Sequence, residues 1–151
     1  MEKVLKTSAI ADAYKLIANA KYQKLSDDDK LKVWKIARLI KPIAVKYEEE
    51  ARDAIKALVT PDFAQKFQKL QEYAKKKASG EQDSVMTKEE YAKTAAEVLK
   101  TNHLMDEATN ELDKDETLEF EPISEETLGY LMTSNDWEFS KAELLEWMVQ
   151  E

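Results

Sequence analysis

His103 is the only histidine of the chain, and Glu107 follows it at the spacing of one helical turn. On a helix the two side chains would share a face, where an imidazole and a carboxylate hold a metal ion weakly. A stable transition-metal site normally needs three or four ligands. The pair therefore predicts an exposed or core-edge histidine, and we expect neither a metal nor a cofactor.

Other reactive arrangements are scarce. The chain has no cysteine and only two glycines, Gly80 and Gly129. Without a Gly-x-Ser-x-Gly turn or a glycine-rich loop, neither a presented serine nucleophile nor a phosphate cradle is expected. The acidic triplets at residues 27–29 and 48–50 would turn by about 100° per residue on a helix, so they do not converge on one ion. The sequence therefore predicts a protein without enzymatic activity.

Length and composition limit the fold class and the class of protein. The 151 residues are the usual size of one domain, and 36% of them are charged. Two glycines and three prolines leave few tight turns, which argues against a fold of many short strands. Residues 1–6 are charged and lack the apolar run of a signal peptide, and no stretch is long enough to span a membrane. We expect no membrane association.

The clearest element is a long helix over about residues 27–59. Ser26 precedes it as a cap, and three aspartates fill its first turn, where negative charge suits the helix dipole. Pro42 predicts a kink, and the alternative is two helices that meet near Lys41. Trp34 widens an apolar stripe of heptad spacing along this helix, which comprises Val33, Ala37, Ile40, Ala44, Tyr47, Ala51, Ala54 and Leu58.

Shorter elements surround the long helix. Thr7 or Ser8 is expected to cap a first helix that ends near Tyr22, and Thr60 is expected to cap a helix that runs to residue 77. Thr87 and Glu90 form a capping box, in which each side chain bonds the backbone of the other, for a helix that frays near residues 110–114.

The C-terminal third begins with an extended segment, residues 117–121, that either lies across the bundle or pairs with a strand of a partner. Ser124 then caps a short helix, and Ser140 with Glu143 predicts a third capping box. The predicted fold is all-α, a helical bundle or hairpin built on one long kinked helix, with a short extended segment and short C-terminal helices.

Charge divides the chain into a basic half and an acidic half. Residues 1–77 hold 18 Lys+Arg and 11 Asp+Glu, a net charge of +7, whereas residues 78–151 hold 5 and 20, a net charge of −15. We expect a basic helical half at 1–77, a loop at 78–86 and an acidic half at 87–151, within one folded unit. The halves attract each other within one monomer, or the basic end of one subunit meets the acidic end of a neighbouring subunit or of another partner.

A nucleic-acid partner is not expected. Basic residues that could touch phosphates lie on the long helix, but they are interleaved with its apolar stripe and the isoelectric point is about 4.9. These residues are Lys30, Lys32, Lys35, Arg38 and Lys41.

Large aromatic and apolar side chains are the candidate partner-binding residues. Trp137, Phe139 and Trp147 either plug the helix bundle or anchor a partner, because tryptophan is common at interface hot spots. Leu118 and Phe120 belong to the extended segment that could pair with another strand. The complete candidate set is Trp34, Leu118, Phe120, Trp137, Phe139 and Trp147.

Four sequence segments carry a resemblance. They are VWKIARLI at 33–40, YEEEAR at 47–52, LEFEPIS at 118–124 and LLEWM at 144–148. In these segments the chain resembles small uncharacterised helical proteins encoded among the structural genes of tailed bacteriophages and prophages. The resemblance implies a virion or assembly role and supplies no active site.

The expected function is that of a non-enzymatic phage or prophage structural or assembly protein, which contacts itself or other virion proteins. The alternative is an acidic regulatory adaptor, or a mimic of nucleic acid that inhibits a host protein. Either role implies a location in the virion or in the host bacterial cytoplasm.

Overall fold

The computed structural model describes residues 1–78, 80 and 87–151, and helices dominate this part of the chain. The expectation of a predominantly helical fold built on one long helix is confirmed. In chain order the elements are strand β1 (Glu2–Lys6), helices α1 (Thr7–Ala18), α2 (Asp27–Leu58), α3 (Pro61–Ala78) and α4 (Lys88–Leu112), strand β2 (Asp115–Glu119), helices α5 (Glu125–Asn135) and α6 (Phe139–Glu143), and a 3-10 turn (Glu146–Met148).

Helix α2 begins as its sequence predicts. The Ser26 hydroxyl accepts a hydrogen bond from the backbone N–H of Asp29 at 3.2 Å, and the first turn is acidic. Pro42 lies inside one continuous helix, so the alternative of two helices that meet near Lys41 is wrong.

The caps of α3 and α4 are also confirmed. Thr60 Oγ1 accepts from the backbone N–H of Phe63 at 3.2 Å. Both halves of the second capping box form, because Glu90 N–H donates to Thr87 Oγ1 at 3.1 Å and Thr87 N–H donates to Glu90 Oε2 at 3.3 Å. Of the predicted loop at 78–86, Ala78 belongs to α3 and Gly80 has a φ of 76°, while residues 79 and 81–86 lie outside the described residues.

The extended segment finds its strand within the same chain. Residues 2–6, which carried no strand prediction, form β1 and pair antiparallel with β2, so that Lys3 lies opposite Leu118 and Val4 opposite Thr117. The Met1 ammonium also donates to the Phe120 carbonyl at 2.9 Å. A strand of five residues is too short to show a decisive apolar alternation, and pairing with β2 organises the N-terminal residues.

The predicted cap and end of α1 are wrong. The helix begins at Thr7 directly after β1 and ends at Ala18, and its N-cap residue Lys6 has no side chain that accepts a hydrogen bond. Because the strand runs into the helix without a free capping residue, a distant carboxylate takes this role. Asp113 Oδ1 accepts from the Ser8 backbone N–H at 2.9 Å, and Thr7 Oγ1 donates to the same oxygen at 3.2 Å.

At the C-terminus the Ser124 cap is confirmed, but the third capping box is wrong. Ser124 Oγ accepts from Thr127 N–H at 3.1 Å. Ser140, by contrast, lies inside α6, whose N-cap is Glu138. Helix α6 has five residues, and the tighter 3-10 turn that follows it buries Met148. Backbone bonds from Ile123 to Met148 and from Gln150 to Ile123, both 2.9 Å, then hold the last residues extended.

The described chain divides into two compact units whose boundaries do not coincide with the change of charge. The first unit combines residues 1–49 with residues 112–151, and the second comprises residues 50–111. Burial of apolar surface stabilises the first unit. Its core consists of Ile10, Ala13, Ile17, Leu25, Val33, Ile36, Ile40, Leu118, Phe120, Ile123, Leu131, Leu145 and Met148.

Opposite charges meet inside the first unit. Lys6 Nζ lies 2.9 Å from Asp115 Oδ1, and Lys32 Nζ lies 3.6 Å from Glu121 Oε1. Lys3 forms a third such pair with Glu151. These contacts join the basic N-terminal segment to the acidic C-terminal segment within the first unit.

The second unit is a small helical unit whose described contacts are aromatic and ionic. The rings of Tyr73 and Tyr91 stack with centroids 4.5 Å apart, which joins α3 to α4. Lys66 Nζ lies 2.6 Å from Glu97 Oε2 and 3.0 Å from Asp62 Oδ2, and these carboxylates raise the pKa of Lys66. No helix in the described ranges is both long enough and apolar enough to cross a bilayer.

Candidate functional site

A groove on the surface of the first unit lies between α1 and α2 and has a volume of about 560 Å³. Volumes of about 300 to 1,000 Å³ are typical of ligand pockets. We call it the basic aromatic groove. It is lined by Tyr14, Ile17, Ala18, Tyr22, Lys30, Trp34, Ala37, Arg38 and Lys41.

Helical spacing explains how α2 supplies its side of the groove. Lys30, Trp34, Arg38 and Lys41 recur every three or four residues, so they share one face. Val33, Ile36, Ile40 and Ala44 on another face of α2 are buried, and their burial fixes the rotation of the helix. The groove face of α2 therefore presents one aromatic ring and three cations to solvent.

Trp34 and Arg38 form the centre of the exposed part. The Arg38 guanidinium carbon lies 5.4 Å from the centroid of the Trp34 ring, a cation–π geometry. The Trp34 side chain nevertheless remains 55% exposed. Since tryptophan and arginine are the residue types most enriched at interface hot spots, this pair is the part of the groove best suited to contact a protein.

The electrostatics of the groove favour an anionic partner. Its lining includes Lys30, Arg38 and Lys41 but no carboxylate. Within residues 1–78, 80 and 87–151, none of these three cations is in an ion pair, whereas Lys32 on the neighbouring face of α2 pairs with Glu121. A carboxylate of a partner would find cations here that are not already neutralised.

Tyr22 forms a rigid, neutral wall of the groove. Its hydroxyl donates a hydrogen bond to the Ile17 carbonyl. Burial raises the pKa of Tyr22 to about 12, so the phenol stays protonated at neutral pH and adds no negative charge beside the three cations. The connector between α1 and α2 is thereby fixed against the end of α1.

The six predicted partner-binding residues fall into three groups, exposed, partly buried and buried in the core, and their binding of a partner stays a prediction. Trp34 and Phe139 are exposed, Phe139 to 77%. Trp137 and Trp147 pack partly buried against the core, as the plug interpretation expects.

Leu118 and Phe120 belong to the core itself, so their side chains present little surface to a partner. The rings of Phe120 and Trp147 meet edge to face with centroids 5.3 Å apart. This contact lies inside the first unit and helps to hold the C-terminal turn in place.

His103 lies on the surface of the second unit. Its Nε2 is 3.4 Å from Glu107 Oε1, and both side chains are mostly exposed. Across the described ranges, no group of three or more His, Cys, Asp and Glu side chains is placed to hold a metal ion. Neither a histidine nor a carboxylate lines the basic aromatic groove.

The sequence alone indicated Trp34 as a partner-binding residue and Lys30, Arg38 and Lys41 as basic residues of the long helix, but not that they form one site. The missing partners were Tyr14 and Tyr22, which come from α1 and its connector. The helical spacing of the four α2 residues could have predicted that they share one face. Tyr14, Ile17 and Ala18 on α1 also recur at helical spacing, but that spacing does not show that they face Trp34.

No protein family, no curated protein and no solved structure matches this chain.

Proposed function

We propose that the protein is a non-enzymatic assembly protein that works through protein–protein contacts, of the kind that tailed phages and prophages encode among their structural genes. The observation that carries the proposal is the basic aromatic groove, where Trp34 is 55% exposed beside Arg38. The resemblance in residues 33–40 adds the expectation of a virion or assembly role, since that segment supplies Trp34 and Arg38.

Binding rather than catalysis follows from the groups in the groove. It combines aromatic rings, an apolar floor that includes Ile17 and Ala37, and cations at the rim. Interfaces are enriched in aromatic residues and arginine, and their energy is concentrated in a few such side chains. The groove has this combination of aromatic residues and arginine, and no serine, cysteine or histidine lines it.

The test is to measure the mass of the full chain by light scattering at about 50 mM and about 500 mM salt, since surface charge is screened at the higher concentration. Calorimetry should then measure binding to each product of the genes that flank its own. Trp34→Ala is the groove variant. Leu31→Ala is the matched control, because Leu31 is exposed on the same helix but does not line the groove.

We expect self-association or binding to a neighbouring gene product, which Trp34→Ala weakens and Leu31→Ala leaves unchanged. A chain that is monomeric at both salt concentrations and binds none of the neighbouring products would contradict the proposal.

A second candidate function is an acidic adaptor or nucleic-acid mimic that inhibits a host protein. Residues 112–151 favour it, because they hold 12 Asp+Glu and 2 Lys. Such a decoy should capture a basic nucleic-acid-binding host protein, and duplex DNA should compete for that protein. If DNA does not compete, or if the captured protein is not basic, this candidate is rejected.

A further inference from the structure

We infer that the basic aromatic groove of one copy receives the acidic segment around Phe139 of a second copy. This inference rests on the proposed function and names the partner. We call residues 136–139 the Phe139 segment. The groove and the Phe139 segment both belong to the first unit, so the contact joins the first units of two copies.

Phe139 is the apolar anchor of this contact. At 77% it is the most exposed large hydrophobic side chain in the described ranges, although it occupies the first position of α6. Ala142 and Leu145, on the same stretch of chain, are buried. When a partner covers an exposed aromatic side chain, the free energy falls, because apolar surface is removed from water.

Phe139 lies in an acidic stretch of the chain. Asp136 and Glu138 precede it and are exposed, Lys141 follows it, and residues 136–143 carry a net charge of −2. The basic aromatic groove presents three cations around its aromatic rings. An exposed aromatic ring in a stretch of net negative charge therefore complements a groove of rings and cations in both apolar surface and charge.

Phe139 does not occupy the groove of its own copy. Its exposure excludes that placement. Asn135 at the end of α5 accepts from Lys21 N–H at 2.6 Å and donates to the Lys21 carbonyl at 2.9 Å. This pair of bonds fixes Asn135, which directly precedes the Phe139 segment, to the connector that carries Tyr22.

The test is sedimentation equilibrium of the full chain with two single variants. Phe139→Ser removes the anchor and Trp34→Ala opens the groove. Leu99→Ser is the matched control, because Leu99 is 69% exposed and belongs to neither the groove nor the Phe139 segment. Circular dichroism should show that all three variants remain folded.

We expect wild-type chains to associate more weakly as salt rises. Phe139→Ser and Trp34→Ala should each raise the dissociation constant about tenfold or more, the effect of losing a hot-spot residue, and Leu99→Ser should not change it. An equimolar mixture of Phe139→Ser and Trp34→Ala chains should regain association, because one intact groove still meets one intact segment.

Charge reversal provides a second, independent readout. Arg38→Glu and Glu138→Lys should each weaken association, and a mixture of these two variants should recover it, because the reversed charges are again opposite.

Some outcomes overturn the inference and leave the proposed function intact. These are a monomeric chain that binds a neighbouring gene product, and self-association that survives both Phe139→Ser and Trp34→Ala. Binding of a single-stranded oligonucleotide to the groove of a monomeric chain would also overturn the inference.

Discussion

The Asp113 carboxylate caps helix α1 through Ser8. One carboxylate oxygen accepts from the Ser8 backbone N–H at 2.9 Å, and the other accepts from the Ser8 hydroxyl at 2.7 Å. The carboxylate thus joins the start of α1 to the residues that precede β2, more than a hundred positions later in the sequence. It stabilises the helix that forms one wall of the basic aromatic groove.

Asp113→Ala should destabilise the first unit. Loss of a helix cap usually lowers the free energy of unfolding by about 1 to 2 kcal/mol. Urea denaturation followed by circular dichroism measures this change. Asp12→Asn is the control, because Asp12 is an exposed carboxylate of the same helix, and its effect should stay within about 0.5 kcal/mol. Equal effects of the two substitutions would rule out the capping role.

The contribution of Asp113 should depend on pH. Burial raises the pKa of Asp113, but hydrogen bonds from Ser8 and Thr7 and the nearby charge of Lys6 outweigh it, so the pKa lies below the ordinary 3.8. A group with a lowered pKa in the folded state stabilises the fold above its unfolded pKa and loses that contribution as the pH falls through the folded value.

The stability difference between wild type and Asp113→Ala should therefore be constant near neutral pH and shrink below about pH 3.8. Urea denaturation at a series of pH values measures it. A difference that grows on acidification would contradict the assignment.

Tyr22 should titrate well above the ordinary range of a phenol. Its pKa is raised to about 12 by burial, so the folded state holds the proton more tightly than the unfolded state. Stability from this group is present below the unfolded pKa of about 10 and is lost as the pH rises toward 12. Tyr22→Phe should remove one late-titrating phenol from the ultraviolet absorbance titration. A variant titration identical to that of the wild type at high pH would refute the assignment.

Truncation of Leu118 should lower the free energy of unfolding, and truncation of Val4 in strand β1 should not. Leu118 is 2% exposed and Val4 is 61% exposed. Leu118→Ala should cost about 2 to 5 kcal/mol because it leaves a cavity in the core. Val4→Ala should stay within about 0.5 kcal/mol, because an exposed side chain loses little. Thermal unfolding of both variants measures the contrast, and a mild Leu118→Ala phenotype would show that this core position is not tightly packed.

Pro42→Ala should stabilise helix α2. The substitution restores a backbone N–H inside the helix and removes the clash of the proline ring, which together outweigh the greater flexibility of the unfolded chain by about 2 kcal/mol. Pro61→Ala is the control, because Pro61 occupies the first position of α3, where proline is favoured. The free energies of unfolding of both variants measure the effect. A loss of stability in Pro42→Ala would mean that the proline conformation is required there.

Local sequence signals predicted α2, α3, α4 and α5 because their caps lie within a few residues of the groups that they bond. Ser26, Thr60, Thr87 and Ser124 all bond the backbone three residues later, so each start signal is complete in one short window. The same short-range reasoning failed at Ser140, where burial of Leu145 and Met148 overrides a plausible capping box.

Tertiary structure alone decided the sheet, the α1 cap and the groove, because each depends on groups far apart in the chain. Residue 4 pairs with residue 117, and Ser8 bonds Asp113, so no local window contains both partners. The α2 face of the groove repeats at helical spacing and was readable from the sequence. Whether Tyr14 and Tyr22 would lie opposite that face depended on how α1 packs, and packing is set by the whole core rather than by any one segment.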